Sequence, residues 1–294
     1  MIPVTYREIV DEIVKFTSLS QEEVEDRVWK EALQVGWNVK HDAKVFHVTP
    51  HIYNHQMQQF YRETDGFIFE TLVFWAKTER QRWTQNALQR IHVYGATKSL
   101  QPHDIKVLVL GDGAGNDSIY LSEEGGFSVD YFDVPGSKTF EFATKRFAFY
   151  GLLGRRIRVV EDYSKCLSGQ YDVVISFEVL EHLPDPLGAI KDISQMLRPG
   201  GIALVTESFG LILPDFPTHL ATNAKYDGTT PFLFSRYGLW LTWYSKDPLF
   251  KPMEFTKKLK SSRLLGCLRL VKDRNVRNSW LKARARQHLR RLLP

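Results

Sequence analysis

Alternation of strand-like and helix-like segments between residues 101 and 210 restricts the fold of this 294-residue chain more than any other feature. Five short apolar runs are typical of buried strands: IKVLVL, FSVDYF, RIRVV, YDVVISF and IALVTES. Helix-compatible segments lie between them, and strands joined by helices pair in parallel because a parallel pair needs a long crossover connection. The pattern predicts an α/β fold, a Rossmann-like doubly wound sheet with helices on both faces.

Residues 1–100 have a helical pattern instead. Thr5 with Glu8 and Ser20 with Glu23 have the spacing of helix-capping pairs, and each precedes apolar residues at helical spacing. The stretch from 67 to 91 contains neither proline nor internal glycine and keeps a 3.6-residue period, which predicts one continuous helix. We therefore expect a helical N-terminal cap over residues 1–100.

Charge is distributed unevenly along the chain. The net charge is +5, yet residues 251–294 contain fourteen Lys and Arg residues against Glu254 and Asp273, a net +12 that leaves −7 for the first 250 residues. An anionic partner is therefore expected to meet the C-terminal tail. Cys166 and Cys267 have no metal-binding spacing and are expected to be reduced thiols. Neither a signal peptide nor a spanning helix is predicted, which favours a cytoplasmic protein that could also be peripheral to a membrane.

A glycine-rich turn follows the first predicted strand. Gly111, Gly113 and Gly115 would let the backbone approach a ligand, and Asp133 at the end of the next strand could accept the ribose hydroxyl protons. Asn116 stands where a dinucleotide fingerprint has Gly or Ala, which favours a nucleoside cofactor without a pyrophosphate. The alternative is a tight turn of purely structural importance.

The run YDVVISFEVLEHLPDP, followed by RPGG and IALVTES, closely resembles the motifs of class I S-adenosylmethionine-dependent methyltransferases, particularly the ubiquinone and menaquinone biosynthesis type. The resemblance covers about residues 105–207. It implies S-adenosyl-L-methionine as cofactor and a C-terminal acceptor-binding region. The family usually has an acid where this chain has Val109, and Asp112 is the candidate substitute. The cofactor-binding residues that the resemblance implies are Gly111, Asp112, Gly113, Gly115, Asp133, Asp162 (adenine), Phe177 and Glu178.

Two interpretations concern the chemistry after the fourth strand. His182, or His219 after the fifth strand, could be the base that removes a proton from an acceptor hydroxyl. The arrangement also resembles the divalent-metal site of some ubiquinone-pathway and small-RNA methyltransferases, and Zn²⁺, Mn²⁺ or Fe²⁺ would suit its ligands. The metal candidates are Glu178, Glu181, His182 and His219. The alternatives are a helix-terminal His182 and a Glu181 held in a structural ion pair.

Four histidines lie between residues 40 and 56: His41, His47, His51 and His55. His51 and His55 could share a helical face, but no acid lies nearby as a third ligand. We expect surface histidines on a lid that folds over the cofactor, with Tyr61 as a candidate contact.

Residues beyond the fifth strand allow several interpretations. Large rings between 232 and 244 could line an acceptor pocket or pack in the core; they are Phe232, Phe234, Tyr237, Trp240, Trp243 and Tyr244. Near the C-terminus, one predicted helical stripe contains Leu281, Ala285, Leu289 and Leu292. This basic helix could dock on the acidic body, lie on an anionic membrane surface or bind RNA.

The predicted organisation is a helical cap (1–100), an S-adenosylmethionine-binding α/β domain (101–210) and an acceptor-binding region with a basic tail (211–294). The predicted function is O-methylation of a small or lipophilic biosynthetic intermediate, a small-molecule acceptor. The alternatives are an RNA methyltransferase and a cofactor-binding module without catalysis.

Overall fold

The computed structural model describes residues 2–258 and 270–292, with side chains up to His288. Its α-helices are α1 (Tyr6–Phe16), α2 (Gln21–Leu33), α3 (Trp37–Val45), α4 (His55–Glu63), α5 (Gly66–Trp75), α6 (Thr78–Lys98), α7 (Asn116–Glu123), α8 (Lys138–Phe149), α9 (Tyr163–Leu167), α10 (Pro186–Met196), α11 (Thr230–Ser235) and α12 (Arg274–Leu292). Its strands are β1 (Lys106–Leu110), β2 (Ser128–Phe132), β3 (Ile157–Val159), β4 (Tyr171–Phe177), β5 (Leu197–Thr206), β6 (Leu239–Lys246) and β7 (Leu249–Lys257).

The seven strands form one sheet in the order β3-β2-β1-β4-β5-β7-β6. The first five are parallel, and β7 runs antiparallel to both β5 and β6. The strand order reverses between β1 and β4, so the carboxyl ends of these two strands border the crevice where open α/β sheets bind ligands. The predicted doubly wound α/β fold is confirmed.

Alternate residues of each central strand belong to two different cores. Val107 and Val109 pack with α6, α7 and α8 on one face of the sheet. Leu108 and Leu110 pack with α10 and α11 on the other. The central strands are buried on both faces and are apolar at most positions, as is usual for parallel sheets whose two faces are covered by helices.

Six helices occupy residues 6–98, but the predicted single helix over 67–91 is wrong. Helix α5 ends at Trp75 and α6 begins at Thr78, and Lys77 between them has extended backbone angles. Leu72 of α5 packs in a cluster with α1 and α2, whereas Trp83 and Ile91 of α6 pack against the sheet. A single straight helix could not place its apolar side chains on both surfaces.

The aromatic segment after residue 230 continues the sheet, which was not predicted. Strands β6 and β7 form a hairpin that pairs with β5, and Phe234 of α11 stacks on Phe255 of β7 with ring centroids 4.1 Å apart. Trp240 is also buried. At these positions the structure favours the core-packing alternative over an acceptor pocket.

Helix α12 is docked on the body, but not through Leu281 and Ala285, the two described side chains of the predicted stripe. Among the side chains of α12 that the structure describes, Val276 and Ala283 are buried, whereas Leu281 is 50% exposed and Ala285 is also exposed. Arg286 pairs with Asp227 at 2.8 Å. The docked face makes a close contact with the body: a Cβ at Gly228 would lie 2.7 Å from the Ala283 Cβ and 3.0 Å from the Ser279 carbonyl oxygen. The side chains of Leu289 and Leu292 lie outside the described residues.

Two predictions about the chain as a whole have partial answers. Across the described ranges, no helix is both long and apolar enough to cross a bilayer. Cys166 is buried and free, and Cys267 lies outside the described residues.

Candidate active site

The glycine turn after β1 is packed against the chain's own side chains. Gly111, Gly113 and Gly115 all have positive φ angles, of 72°, 58° and 83°. A Cβ at Gly113 would lie 2.8 Å from Cγ2 of Thr71 in α5, and one at Gly111 would lie 2.5 Å from Val179. The glycines therefore have a structural reason to be there, independent of any ligand.

Asp133 lies at the carboxyl end of β2, beside this turn. One carboxylate oxygen accepts a hydrogen bond from the Gly113 N–H at 2.8 Å, and the other accepts one from Val134 N–H at 2.7 Å. Burial raises the pKa of Asp133. Each oxygen keeps a second lone pair, so the carboxylate can still accept two hydroxyl protons, which fits the ribose of a nucleoside cofactor.

Two other predicted cofactor residues cap helices. Asp112 is buried, and its two oxygens accept the N–H groups of Asp117 at 3.0 Å and Ser118 at 2.7 Å at the start of α7. Burial, reinforced by the Asp117 carboxylate, raises the pKa of Asp112. Both oxygens of Asp112 already accept hydrogen bonds from α7, which argues against Asp112 taking the place of the acid that the family has where this chain has Val109. Asp162 is exposed and caps α9 through Ser164, and its contact with adenine stays a prediction.

Glu178, which follows β4, faces a cation that was not predicted. Lys251 Nζ of β7 lies 3.1 Å from Glu178 Oε1, and Ser208 donates its hydroxyl to Oε2. Burial opposes ionisation of Glu178, but Lys251 and Ser208 outweigh it and lower the pKa of the carboxyl group. Phe177 beside it is buried, with the Arg80 guanidinium 5.5 Å from its ring centroid.

Three of the four predicted metal candidates come together. Glu181, His182 and His219 each offer a ligand atom, and these atoms all lie within 4.8 Å of one another. Both Glu181 carboxylate oxygens and Nδ1 of His219 are buried without a hydrogen-bond partner among the described residues. Buried polar atoms normally have partners, so these three orphaned atoms fit a divalent cation. Glu178 binds Lys251 instead of completing the set.

The two histidines are neutral at pH 7 and His182 has a fixed orientation. Burial, with a contribution from His219, lowers the pKa of His182 to about 3, and burial lowers that of His219 to about 4. Nδ1 of His182 lies 3.2 Å from the carbonyl oxygen of Thr218, which can only accept. This contact favours the tautomer with hydrogen on Nδ1 and leaves the Nε2 lone pair available.

The N-terminal cap reaches this cluster at two points. The Tyr61 hydroxyl lies 3.1 Å from Nδ1 of His182, which makes Tyr61 a contact of the cluster. His51 Nδ1 lies 2.8 Å from the His219 carbonyl oxygen, and His51 N–H donates to the Pro217 carbonyl oxygen. His51 therefore holds the loop that carries His219. It lies outside α4, which begins at His55, so His51 and His55 do not share a helical face.

Sequence reasoning missed three polar groups near Glu178. Lys251 was counted only as a charge of the basic tail, and Ser208 was not singled out. Glu207 follows β5 and accepts hydrogen bonds from Thr230 Oγ1 at 2.7 Å and Phe209 N–H at 2.9 Å. Burial raises the pKa of Glu207 to about 7. The position of Glu207 after a buried strand was the one available signal.

The family assignment rests on a family model described as "Methyltransferase domain", which matches residues 74–242, more than half of the chain. The chain belongs to this methyltransferase family. The predicted family resemblance is thereby confirmed, and the region matched contains the glycine turn, Glu178 and the Glu181–His182–His219 cluster.

Individual relatives of this methyltransferase match over shorter stretches. Ubiquinone biosynthesis O-methyltransferase of Vibrio parahaemolyticus is 35% identical over 97 residues, which are 33% of this chain and 40% of that protein. The enzyme of the same name from Escherichia fergusonii is 33% identical over 97 residues, with the same coverage. The chain thus matches less than half the length of these relatives. A solved O-methyltransferase of Brevibacillus brevis, in complex with S-adenosyl-L-homocysteine, is 21% identical, with a TM-score of 0.37 and 47% of each chain covered.

Proposed function

We propose that this protein is an S-adenosylmethionine-dependent methyltransferase that methylates a hydroxyl oxygen of a small or lipophilic biosynthetic intermediate. The observation that carries the proposal is the buried cluster of Glu181, His182 and His219 beside the carboxyl end of β4. In a methyltransferase family member, that position lies next to the β1–β4 crevice, where an acceptor would meet a bound methyl donor. The names of the two curated relatives favour oxygen as the methylated atom.

Asp133 and the glycine turn would hold the cofactor. When bound, S-adenosylmethionine supplies an electrophilic methyl group. Asp133 would accept the ribose hydroxyl protons, since both of its oxygens keep a free lone pair beyond the bonds to Gly113 and Val134. Thr71 of α5 packs on Gly113, so the N-terminal cap helps to hold the glycine turn in position.

The cluster would act on the acceptor hydroxyl. Glu181, His182 and His219 would hold a divalent ion such as Zn²⁺, Mn²⁺ or Fe²⁺, which would lower the pKa of a bound hydroxyl as a Lewis acid. In the metal-free alternative, the Nε2 lone pair of His182 accepts the hydroxyl proton directly. The orphaned atoms of Glu181 and His219 favour the metal-bound form.

Transfer of radiolabelled methyl groups from S-adenosylmethionine to catechol and phenol acceptors tests this proposal. We expect activity with catechol, which has two vicinal hydroxyl groups. EDTA should abolish this activity, and added Zn²⁺ or Mn²⁺ should restore it. His219→Ala should abolish transfer, whereas His103→Ala, at an exposed histidine distant in the fold, should leave it unchanged. Full activity in EDTA would contradict the metal site and leave His182 as the base.

The same assay separates the rival functions. Labelling of RNA in place of the small acceptors would support an RNA methyltransferase. Binding of S-adenosylhomocysteine without transfer to any acceptor would support a cofactor-binding module.

The outward-facing cations of α12 are proposed to contact an anionic membrane surface, consistent with a cytoplasmic, peripheral protein.

A further inference from the structure

An open cavity of about 740 Å³ separates helix α12 from α11 and the short 3-10 helix Ala221–Tyr226. Its volume lies within the range of sites that bind small molecules. Helix α12 docks on the body through its buried residues Val276 and Ala283, while its cavity-lining residues Trp280 and Leu281 stay partly exposed. The cavity does not include any residue of the Glu181–His182–His219 cluster.

The walls of this cavity are mostly apolar. Helix α11 contributes Phe232 and Leu233, and the C-terminal segment contributes Val271, Trp280 and Leu281. Val271, Trp280 and Leu281 are 51%, 37% and 50% exposed. An apolar surface that stays exposed inside a concave site favours burial of an apolar ligand portion.

Four basic side chains also line the cavity: Lys225, Arg236, Arg277 and Arg284. Among the described residues, no carboxylate lines it. Within the described parts of the chain, none of these four forms an ion pair. Arg286, on the same helix but outside the cavity, does pair with Asp227. Residues 259–269, which lie outside the described ranges, contain three basic residues and no acid, so their charge does not complement these cations.

We propose that the cavity binds a single-chain amphipathic anion, with its acyl chain against Trp280 and Leu281 and its anionic head between Arg277 and Arg284. Apolar walls alone would accept any hydrocarbon, and the cations alone would accept any anion. Their combination selects a ligand that has both parts. The site is independent of methyl transfer, so its test does not depend on enzymatic activity.

Calorimetry with monomeric oleoyl lysophosphatidate as the probe tests the site. Saturable binding of one molecule per chain is expected. Oleoyl lysophosphatidylcholine retains the chain but has no net charge, and should bind at least about fivefold more weakly, because each nearby basic residue contributes about 1 kcal/mol. Glycerol 3-phosphate, which lacks the chain, should not bind measurably.

Paired variants locate the site. Arg277→Gln should weaken probe binding about fivefold, whereas Lys282→Gln, an equal charge change on the same helix outside the cavity, should not. Leu281→Ser should also weaken binding, whereas Leu33→Ser, at an exposed leucine of α2, should not. All four positions are exposed, and thermal unfolding will verify that each variant is folded.

Three results would overturn the proposal. Equal affinity for lysophosphatidate and lysophosphatidylcholine would show that the cations do not recognise the head group. Equal weakening by Arg277→Gln and Lys282→Gln would show attraction by the basic tail as a whole. Binding to phosphatidylglycerol vesicles that Leu281→Ser leaves unchanged, without binding of the monomeric probe, would show a surface contact in place of a cavity.

Discussion

Replacement of Glu181 by methionine should stabilise the metal-free protein. Glu181 is fully buried, and neither carboxylate oxygen has a hydrogen-bond partner among the described residues. An unsatisfied buried polar group costs about 1–3 kcal/mol, and methionine is an apolar, unbranched side chain of similar length. With an unfolding entropy of roughly 2.1 cal/mol/K per residue, that gain raises Tm by about 2–5 °C.

The pH dependence of this gain follows from the Glu181 carboxyl group. Burial, together with the Glu178 carboxylate, raises the pKa of Glu181 well above its ordinary value. A raised carboxyl pKa means that the folded state binds the proton more tightly than the unfolded state, so stability falls as pH rises above the unfolded value of 4.5. The two histidines have lowered pKa values and act oppositely, but only below 6.5. The advantage of Glu181→Met over the parent should therefore grow with pH between about 6.5 and 8.

Calorimetric unfolding in EDTA and in Zn²⁺ measures both effects. A saturating ion at 100 times its Kd adds about 2.7 kcal/mol to the stability of the parent, and should add nothing to Glu181→Met. Glu31→Met is the matched control: Glu31 is equally buried, but its oxygens accept bonds from Gly36 N–H and Asn38, so this variant should lose stability. Destabilisation by Glu181→Met in EDTA, with an equal Zn²⁺ effect on variant and parent, would show that the Glu181 carboxylate is satisfied in the metal-free protein and does not hold the ion.

Three further predictions concern the rest of the site. Gly113→Ala should lose roughly 2–5 kcal/mol of stability, because alanine would adopt a left-handed backbone conformation there and its Cβ would clash with Thr71. Gly136→Ala is the control: Gly136 also has a positive φ but has open space around it, so this variant should lose only about 1–2 kcal/mol. Chemical denaturation measures both losses, and equal losses would exclude the clash. Asp133→Asn should weaken S-adenosylhomocysteine binding by about 1.5–3 kcal/mol in calorimetry, and unchanged affinity would remove Asp133 from the cofactor site. Lys251→Met should raise the pKa of the Glu178 carboxyl group, visible as an upward shift in its NMR titration, and an unshifted titration would mean that the Lys251 contact is unimportant.

The strands and the glycine turn were predictable because their signals are local. An apolar run followed by glycines sets strand and turn without reference to distant residues, and β1 with the turn at Gly111 lies where the pattern placed it. The proximity of Glu181 and His182 to His219 was inferred through the family resemblance, since the two histidines are 37 positions apart in the chain. The roles of these residues in catalysis remain predictions.

The features that were missed depend on contacts between distant segments. The α5–α6 break arises because two neighbouring helices pack on different surfaces, a requirement that the sequence period around Lys77 does not contain. Lys251 meets Glu178 only because the β6–β7 hairpin folds back onto β5. The docked face of α12 depends on its close contact with Gly228, and the spacing of apolar residues in the sequence does not contain this information.

The most direct test of the proposed site is anomalous diffraction at the zinc edge, from crystals grown with Zn²⁺ and S-adenosylhomocysteine. An anomalous peak is expected within about 2.0–2.2 Å of ligand atoms of Glu181, His182 and His219, with the ribose of the nucleoside against Asp133. A bound nucleoside with no anomalous peak at the three side chains would contradict the metal site. A nucleoside bound away from Asp133 and the carboxyl ends of β1 and β4 would contradict the placement of the active site.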